Sequence, residues 1–173
     1  MIIAFFPCIR FEDQVKLWFR GDSYGDDRLS ITDLLARDLR LMDELHELYD
    51  LVTMLVLVCV NKGLRLIIEN PYTPAHFLKT HWALKPALID MDRSRHGDYF
   101  KKPTQYFFVN CNPTHNLRPF IEYPTTSFIV EKANKAFNGI PLKTARSMIS
   151  PTYASFFIEN YLYDILKEKE EIC

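Results

Sequence analysis

The stretch LRLIIENPY (64–72) decides how this chain is built. Its first part is apolar without polar alternation, the pattern of a strand buried on both faces. Glu69-Asn70 close it, and Pro71 cannot donate to a ladder, so the strand stops there. Upstream, Ile31, Leu34, Leu35, Leu39, Met42, Leu45, Leu48, Val52 and Leu55 recur in steps of three and four. That spacing predicts one helix over 30–61, opened by a Ser30/Asp33 capping box and ended by Gly63. Arg37, Arg40, Asp43, Glu44, Glu47 and Asp50 occupy its opposite face. LVTMLVLVCV (51–60) is apolar all round, which predicts deep burial of the last turns, and it is too short to span a bilayer. Before the helix, IIAFF (2–6) reads as a second strand buried on both faces, and Pro7-Cys8 end it. Strand, helix and strand make a βαβ unit, with parallel strands and a right-handed crossover.

Downstream, PAHFLKTHW (74–82) is helix-like, PALIDMD (86–92) reads as a strand and TQYFFVN (104–110) as the last strand. These two strands are expected as a pair beside the first two, one of them antiparallel. A basic turn, RSRHGDYFKK (93–102), joins them. The 11–27 stretch reads as a short helix and a Gly/Asp loop, 111–140 as an irregular insert with a short helix at VEKANKAF (130–137). Ser150-Pro151 opens a final helix whose apolar face is Tyr153, Phe156, Phe157, Leu162, Ile165 and Leu166, and a solvated tail follows. The expectation is a single α/β domain over 1–173.

Hydrophobic residues make up 48% and charged residues 25% of 173 residues, enough for a globular core. The net charge of -1 advertises no nucleic-acid surface in bulk, so any such contact is a local patch. The best one is 93–102, where Arg93, Arg95, Lys101 and Lys102 face one Asp98; its bland reading is a solvated turn. Cys8, Cys59, Cys111 and Cys173 form no C-x-x-C, and the histidines lack zinc-site spacing, so no metal is expected. Free thiols and the lack of a signal-peptide pattern predict a reducing, cytoplasmic setting.

In open α/β sheets, ligands bind outside the carboxyl ends of the strands. A βαβ unit puts both ends on one edge, so Cys8 and Glu69 become neighbours despite their separation in the chain. Singly, each has a bland reading: an inert buried thiol, and a strand-end carboxyl paired with a cation. Together, a thiol and an acid facing one cavity suit covalent catalysis on a polar heterocycle.

On these residues the chain resembles the cytosine-5 DNA methyltransferases. IIAFFPC is similar to their Pro-Cys strand, and LRLIIENP to their Glu-Asn strand, which reads Glu-Asn-Pro in phage-type members. HGDYFKKPTQYFFVN resembles the phage-type segment before the final strand, and RSMISPTYASFFIENYL the last conserved segment. The resemblance implies a mixed, partial Rossmann-like S-adenosylmethionine-dependent fold with helices on both faces of the sheet. Cys8 would be the nucleophile for cytosine C6, Glu69 the acid at N3 and the exocyclic amine, and Asn70 a support for that loop. Pro7, Ser147 and Ser150, with Pro151, would border the S-adenosylmethionine pocket. Lys101 and Lys102, with Arg93 and Arg95 before them, would meet the phosphates of double-stranded DNA. The base would be a flipped cytosine, and the setting one of restriction-modification.

The chain departs from the family in having no G-x-G and only five Gly, where the cofactor turn is Gly-rich. The family's strands that precede the Pro-Cys strand are expected to be missing. A strand as apolar as 2–6 then needs a partner chain or self-association beside it, or the chain is one piece of a split or truncated enzyme. Three other readings are a non-catalytic homologue that binds DNA or a partner, an amino-methyltransferase using Asn70-Pro71-Tyr72 to hold an amine, and a purely structural α/β protein.

Overall fold

The computed structural model describes residues 1–6, 10–12, 14–22, 25–114 and 147–167. Four strands, β1 (Ile2–Phe5), β2 (Leu66–Pro71), β3 (Leu88–Asp90) and β4 (Thr104–Val109), form one mixed sheet in the order β1-β2-β4-β3. The helices are α1 (Gln14–Arg20), α2 (Ile31–Lys62), α3 (Phe77–His81), α4 (Pro151–Phe157) and α5 (Tyr163–Lys167), with a π turn over Ile158–Leu162 between the last two. The expected α/β class and paired strands are present. The expected strand at 86–92 is shorter, because Asp90 and Asp92 turn back on the chain that follows: Asp90 accepts from the Asp92 N–H (3.0 Å), and Asp92 from the Ser94 N–H (3.2 Å). Most of the insert, including the expected helix at 130–137, and the tail at 168–173 lie outside the described residues.

The described residues group into two compact units, 1–87 with 105–111, and 88–104 with 112–173. The first is the βαβ unit with its partners. β1 is parallel to β2, with Ile2 opposite Leu66 and Phe5 opposite Glu69. Between them runs α2, 32 residues long. Its start is the expected capping box: Ser30 Oγ accepts from the Asp33 N–H, and the Asp33 carboxylate accepts from the Ser30 N–H. Its end is Gly63 at φ 62°, a left-handed position that glycine fills without strain. Leu45, Val52 and Cys59 on α2 meet Leu66 and Ile68 of β2, Phe107 and Val109 of β4, and Leu78 and Trp82 from the α3 region. Asn110 locks this arrangement, donating through Nδ2 to the carbonyls of Cys59 and Leu64, each at 2.9 Å.

Two expectations about burial fail. β1 is not buried on both faces: it is the sheet edge, with Ile3 41% and Phe5 59% exposed. Apolar content tells strand from loop, but centre and edge strands differ in neighbours, not composition. The last turns of α2 are not enclosed either. Val52 and Cys59 are buried, while Leu51, Met54, Leu57, Val58 and Val60 are about half exposed. The N-terminal part splits the same way: Leu41 and Leu45 point inward, and Ile31, Leu35, Leu39 and Met42 outward.

The second unit is built on α4 and α5. Ser150 caps α4, accepting from the Tyr153 N–H at 2.9 Å, with Pro151 at the first position. Tyr153, Phe156, Phe157, Leu162 and Ile165 are buried as expected, but Leu166 is exposed. No described helix is long and apolar enough to cross a membrane.

A Cβ added at Gly63 meets no atom within 4 Å, so Gly63→Ala reports backbone strain alone. It should cost about 1–2 kcal/mol, measured as a lower midpoint in chemical denaturation with an unchanged slope.

Candidate functional site at the carboxyl end of β2

In the first unit, the register sets Phe5, the last residue of β1, beside Glu69. The chain therefore leaves β1 next to Glu69; Pro7 and Cys8 lie two and three residues further on, outside the described residues. Glu69 is buried at 6% exposure, and Asn70 is fully buried. The strand alternation puts Asn70 on the face of Leu66 and Ile68, towards the α2 core, and Glu69 on the other.

Asn70 holds the turn that follows. Its Oδ1 lies 3.2 Å from His76 Nε2. An amide oxygen only accepts, so His76 carries its proton on Nε2. His76 is fully buried and precedes α3, with its ring 6.0 Å from that of Phe11. From β4, Gln105 donates through Nε2 to the Pro71 carbonyl at 3.0 Å. Lys79 Nζ donates to Tyr72 Oη at 3.0 Å and sits 4.6 Å from its ring centre. Asn70 Nδ2, Thr73 Oγ1 and Gln105 Oε1 are buried with no hydrogen-bond partner among the described residues. A buried polar atom left alone costs about 1–3 kcal/mol. Asn70 and Gln105 bring two of these atoms to the end of β2.

The second unit contains the other expected site residues, and Arg93 is a correction. It is not on a DNA-facing surface: it is fully buried and forms an ion pair with Asp98, which is also buried. Its guanidinium lies 4.4 Å from the Tyr153 ring centre, and Asp98 also accepts from the N–H groups of Tyr99 and Ser150, each at 2.9 Å. A carboxylate five residues away thus takes the charge that the basic run offered to solvent. Arg95 and Lys101 remain exposed, and Lys102 is half-buried. Ser147 is exposed, while Ser150 is buried and donates through Oγ to the Gly97 carbonyl at 2.6 Å.

A cluster that the sequence did not single out lies here. Asp90 ends β3, buried, and accepts from His96 Nδ1 at 2.9 Å and from Tyr153 Oη at 3.1 Å. His96 stacks on Phe156, with ring centres 4.1 Å apart and planes 7° apart. Burial pushes the Asp90 carboxyl up, but the bonds and charge of His96, with the Asp92 N–H and Tyr153, outweigh it and hold the group below the usual carboxylate range. Burial first, and then the Asp90 charge, hold the Tyr161 phenol above its ordinary value. This cluster joins strand, turn and helix across 63 positions of sequence, which no local pattern encodes. Among the described residues no group of His, Cys, Asp and Glu could hold a metal ion.

Comparison with protein-family models, curated proteins and solved structures gave no match.

Two outcomes follow from these bonds. His76→Ala leaves the Asn70 carbonyl buried without its donor and should cost about 1–3 kcal/mol, read as a lower thermal midpoint. Asp90 binds its proton less readily folded than unfolded. Its stabilising contribution is therefore complete above the unfolded value of about 3.9 and is lost as pH falls through the lower folded value. A stability profile in that acid range should be steeper for the wild type than for Asp90→Asn.

Proposed function

We propose that the chain carries the base-binding half of a DNA (cytosine-5-)-methyltransferase-like site on a partial Rossmann-like frame. One observation carries the reading: the parallel register lets the chain that bears Pro7-Cys8 leave the sheet beside a buried Glu69. On this reading the Cys8 thiolate adds to C6 of a cytosine taken out of the duplex. Glu69 binds the base at N3 and the exocyclic amine. Asn70, fixed by His76, keeps the strand end in shape. Arg95, Lys101 and Lys102 supply charge for phosphates, contacts that position a duplex without reading its sequence.

S-adenosylmethionine is the methyl donor that the resemblance implies, and the residues assigned to it do not fit a site. Ser150 uses its hydroxyl on the Gly97 carbonyl and the Tyr153 N–H, Ser147 lies exposed, and the chain has no G-x-G turn. The chain's own residues account for base binding and thiol addition, not for methyl transfer. The occupied Ser150 and the buried Arg93 favour a second reading, a homologue that binds DNA or a partner without catalysis. The amino-methyltransferase reading gains nothing. The Asn70 amide oxygen accepts from His76 and the Pro71 carbonyl from Gln105, so each acceptor that would hold an amine has one lone pair left for it.

Addition of a thiol at C6 saturates the ring bond and lets C5 exchange its hydrogen with water. DNA carrying tritium at cytosine C5 should therefore release label without any methyl donor. Cys8→Ala should abolish release, and Glu69→Gln should slow it by about 100-fold or more. Release that survives Cys8→Ala overturns the thiol mechanism; DNA binding without release identifies the non-catalytic homologue.

A further inference from the structure

The first unit exposes two apolar features that no described element covers: the outer edge of β1 and one flank of α2. The outer edge is chemically specific. The Ile2 N–H donates to the Arg65 carbonyl at 2.8 Å, so Ile2 turns its main-chain groups towards β2. In a parallel ladder each residue points both groups to one side and its neighbours point theirs to the other. Ile3 and Phe5 therefore present two N–H and two C=O groups outward, and no described strand pairs with them.

The flank of α2 comprises Glu47, Leu51, Met54, Val58 and Lys62, in steps of four, three, four and four, all exposed. Leu51, Met54 and Val58 are 55%, 59% and 48% exposed. Two observations place this flank on the β1 side. Thr53, well round the helix from Leu51 and Val58, accepts from Trp82 Nε1 at 3.1 Å and so marks the inner side. Glu44, seven residues before Leu51, pairs with Arg10, which follows β1.

We infer that this face is the contact between two copies of the chain, related by a two-fold axis that pairs β1 with β1 and α2 with α2, both antiparallel. Three features select a second copy. The first is charge. An antiparallel α2 pair centred between Met54 and Leu55 sets Leu51 against the partner's Val58 and Glu47 against the partner's Lys62, twice by symmetry. Within one chain these two charges stand ~22 Å apart along the helix and cannot meet. The second is height. Ala4 lies opposite Ile68, ~10 Å along the strand from Arg65. Leu55 lies ~10 Å back along α2 from Lys62, so the two centres stand at similar distances from the turn that joins α2 to β2. The third is side. Ala4 and Phe6 pack against the core that α2 covers, so a two-fold that pairs β1 with β1 keeps both α2 helices on one face of the joined sheet. With Ala4 on the axis, Ile3 faces the partner's Phe5, and the outward groups of both close four main-chain bonds. The pairing does not depend on the chemistry proposed for Cys8 and Glu69.

Sedimentation equilibrium over the micromolar range should give twice the 20.4 kDa of one chain. Ile3→Pro removes an outward N–H that β2 does not use, and it should yield a monomer with unchanged circular dichroism. Lys62→Glu sets like charges together at both ends and should weaken association by about 10-fold. Adding Glu47→Lys to it should restore association, which settles the matter even if the proline variant fails to fold. A monomeric wild type, or a dimer indifferent to both Lys62→Glu and its rescue, overturns the inference.

Discussion

The parallel pairing of β1 with β2 is the constraint on which the first unit depends. Parallel strands cannot be joined by a tight turn, so the chain must cross over, and α2 is that crossover. A one-residue slip would turn Leu66 and Ile68 away from Val52 and Cys59 and expose the whole inner set. The caps at Ser30 and Gly63 fix where the crossover starts and stops. Asn110 then ties the end of α2 to β4 through the carbonyls of Cys59 and Leu64. Register, helix ends and the last strand are one connected requirement.

That requirement determines the polar chemistry at the strand ends. Because Glu69 and Asn70 are consecutive in a strand, they face opposite sides of the sheet. Asn70 falls among buried groups that need a partner and finds His76. Glu69 is left on the side of Phe5, where β1 ends. The division of Glu69 and Asn70 between the two faces thus arises from strand alternation. The second unit reaches its order differently, by partnering buried carboxylates: Asp98 with the Arg93 guanidinium, and Asp90 with the hydrogen bond from His96. Such pairs are costly to bury and more costly to break, so they fix one arrangement of turn and helix.

What was legible in the sequence was what local chemistry specifies. Ser30, Gly63, Pro71 and the Ser150-Pro151 start each did what their types predict. The βαβ order and the pairing of the last two strands followed from patterning. The position of a strand within the sheet did not, since Ile2–Phe5 would look the same at the centre or the edge. On α2 the apolar residues outnumber what one buried face can hold, so periodicity alone could not say that Leu45 turns inward and Leu39 outward. His76, Gln105 and the Asp90–His96–Tyr153 cluster were missed because their meaning lies in partners from other elements. Arg93 looked like surface charge because its run was basic, and only its contact with Asp98 and the Tyr153 ring shows otherwise.

The π turn at Ile158–Leu162 bears on how this helix tolerates change in length. Tyr153, Phe156 and Phe157 keep ordinary helical spacing, but the next buried residues are Leu162 and Ile165. The step of five from Phe157 to Leu162 exceeds one α-helical turn, and the wide turn absorbs the extra residue so that both segments face the same way. Loss of one residue between 158 and 161 would convert the bulge to regular α-helix and keep the apolar face aligned. The same deletion on either side would rotate everything beyond it by about 100°. In lineage terms, this segment is where the C-terminal helix can change its length by one residue and still fit its core.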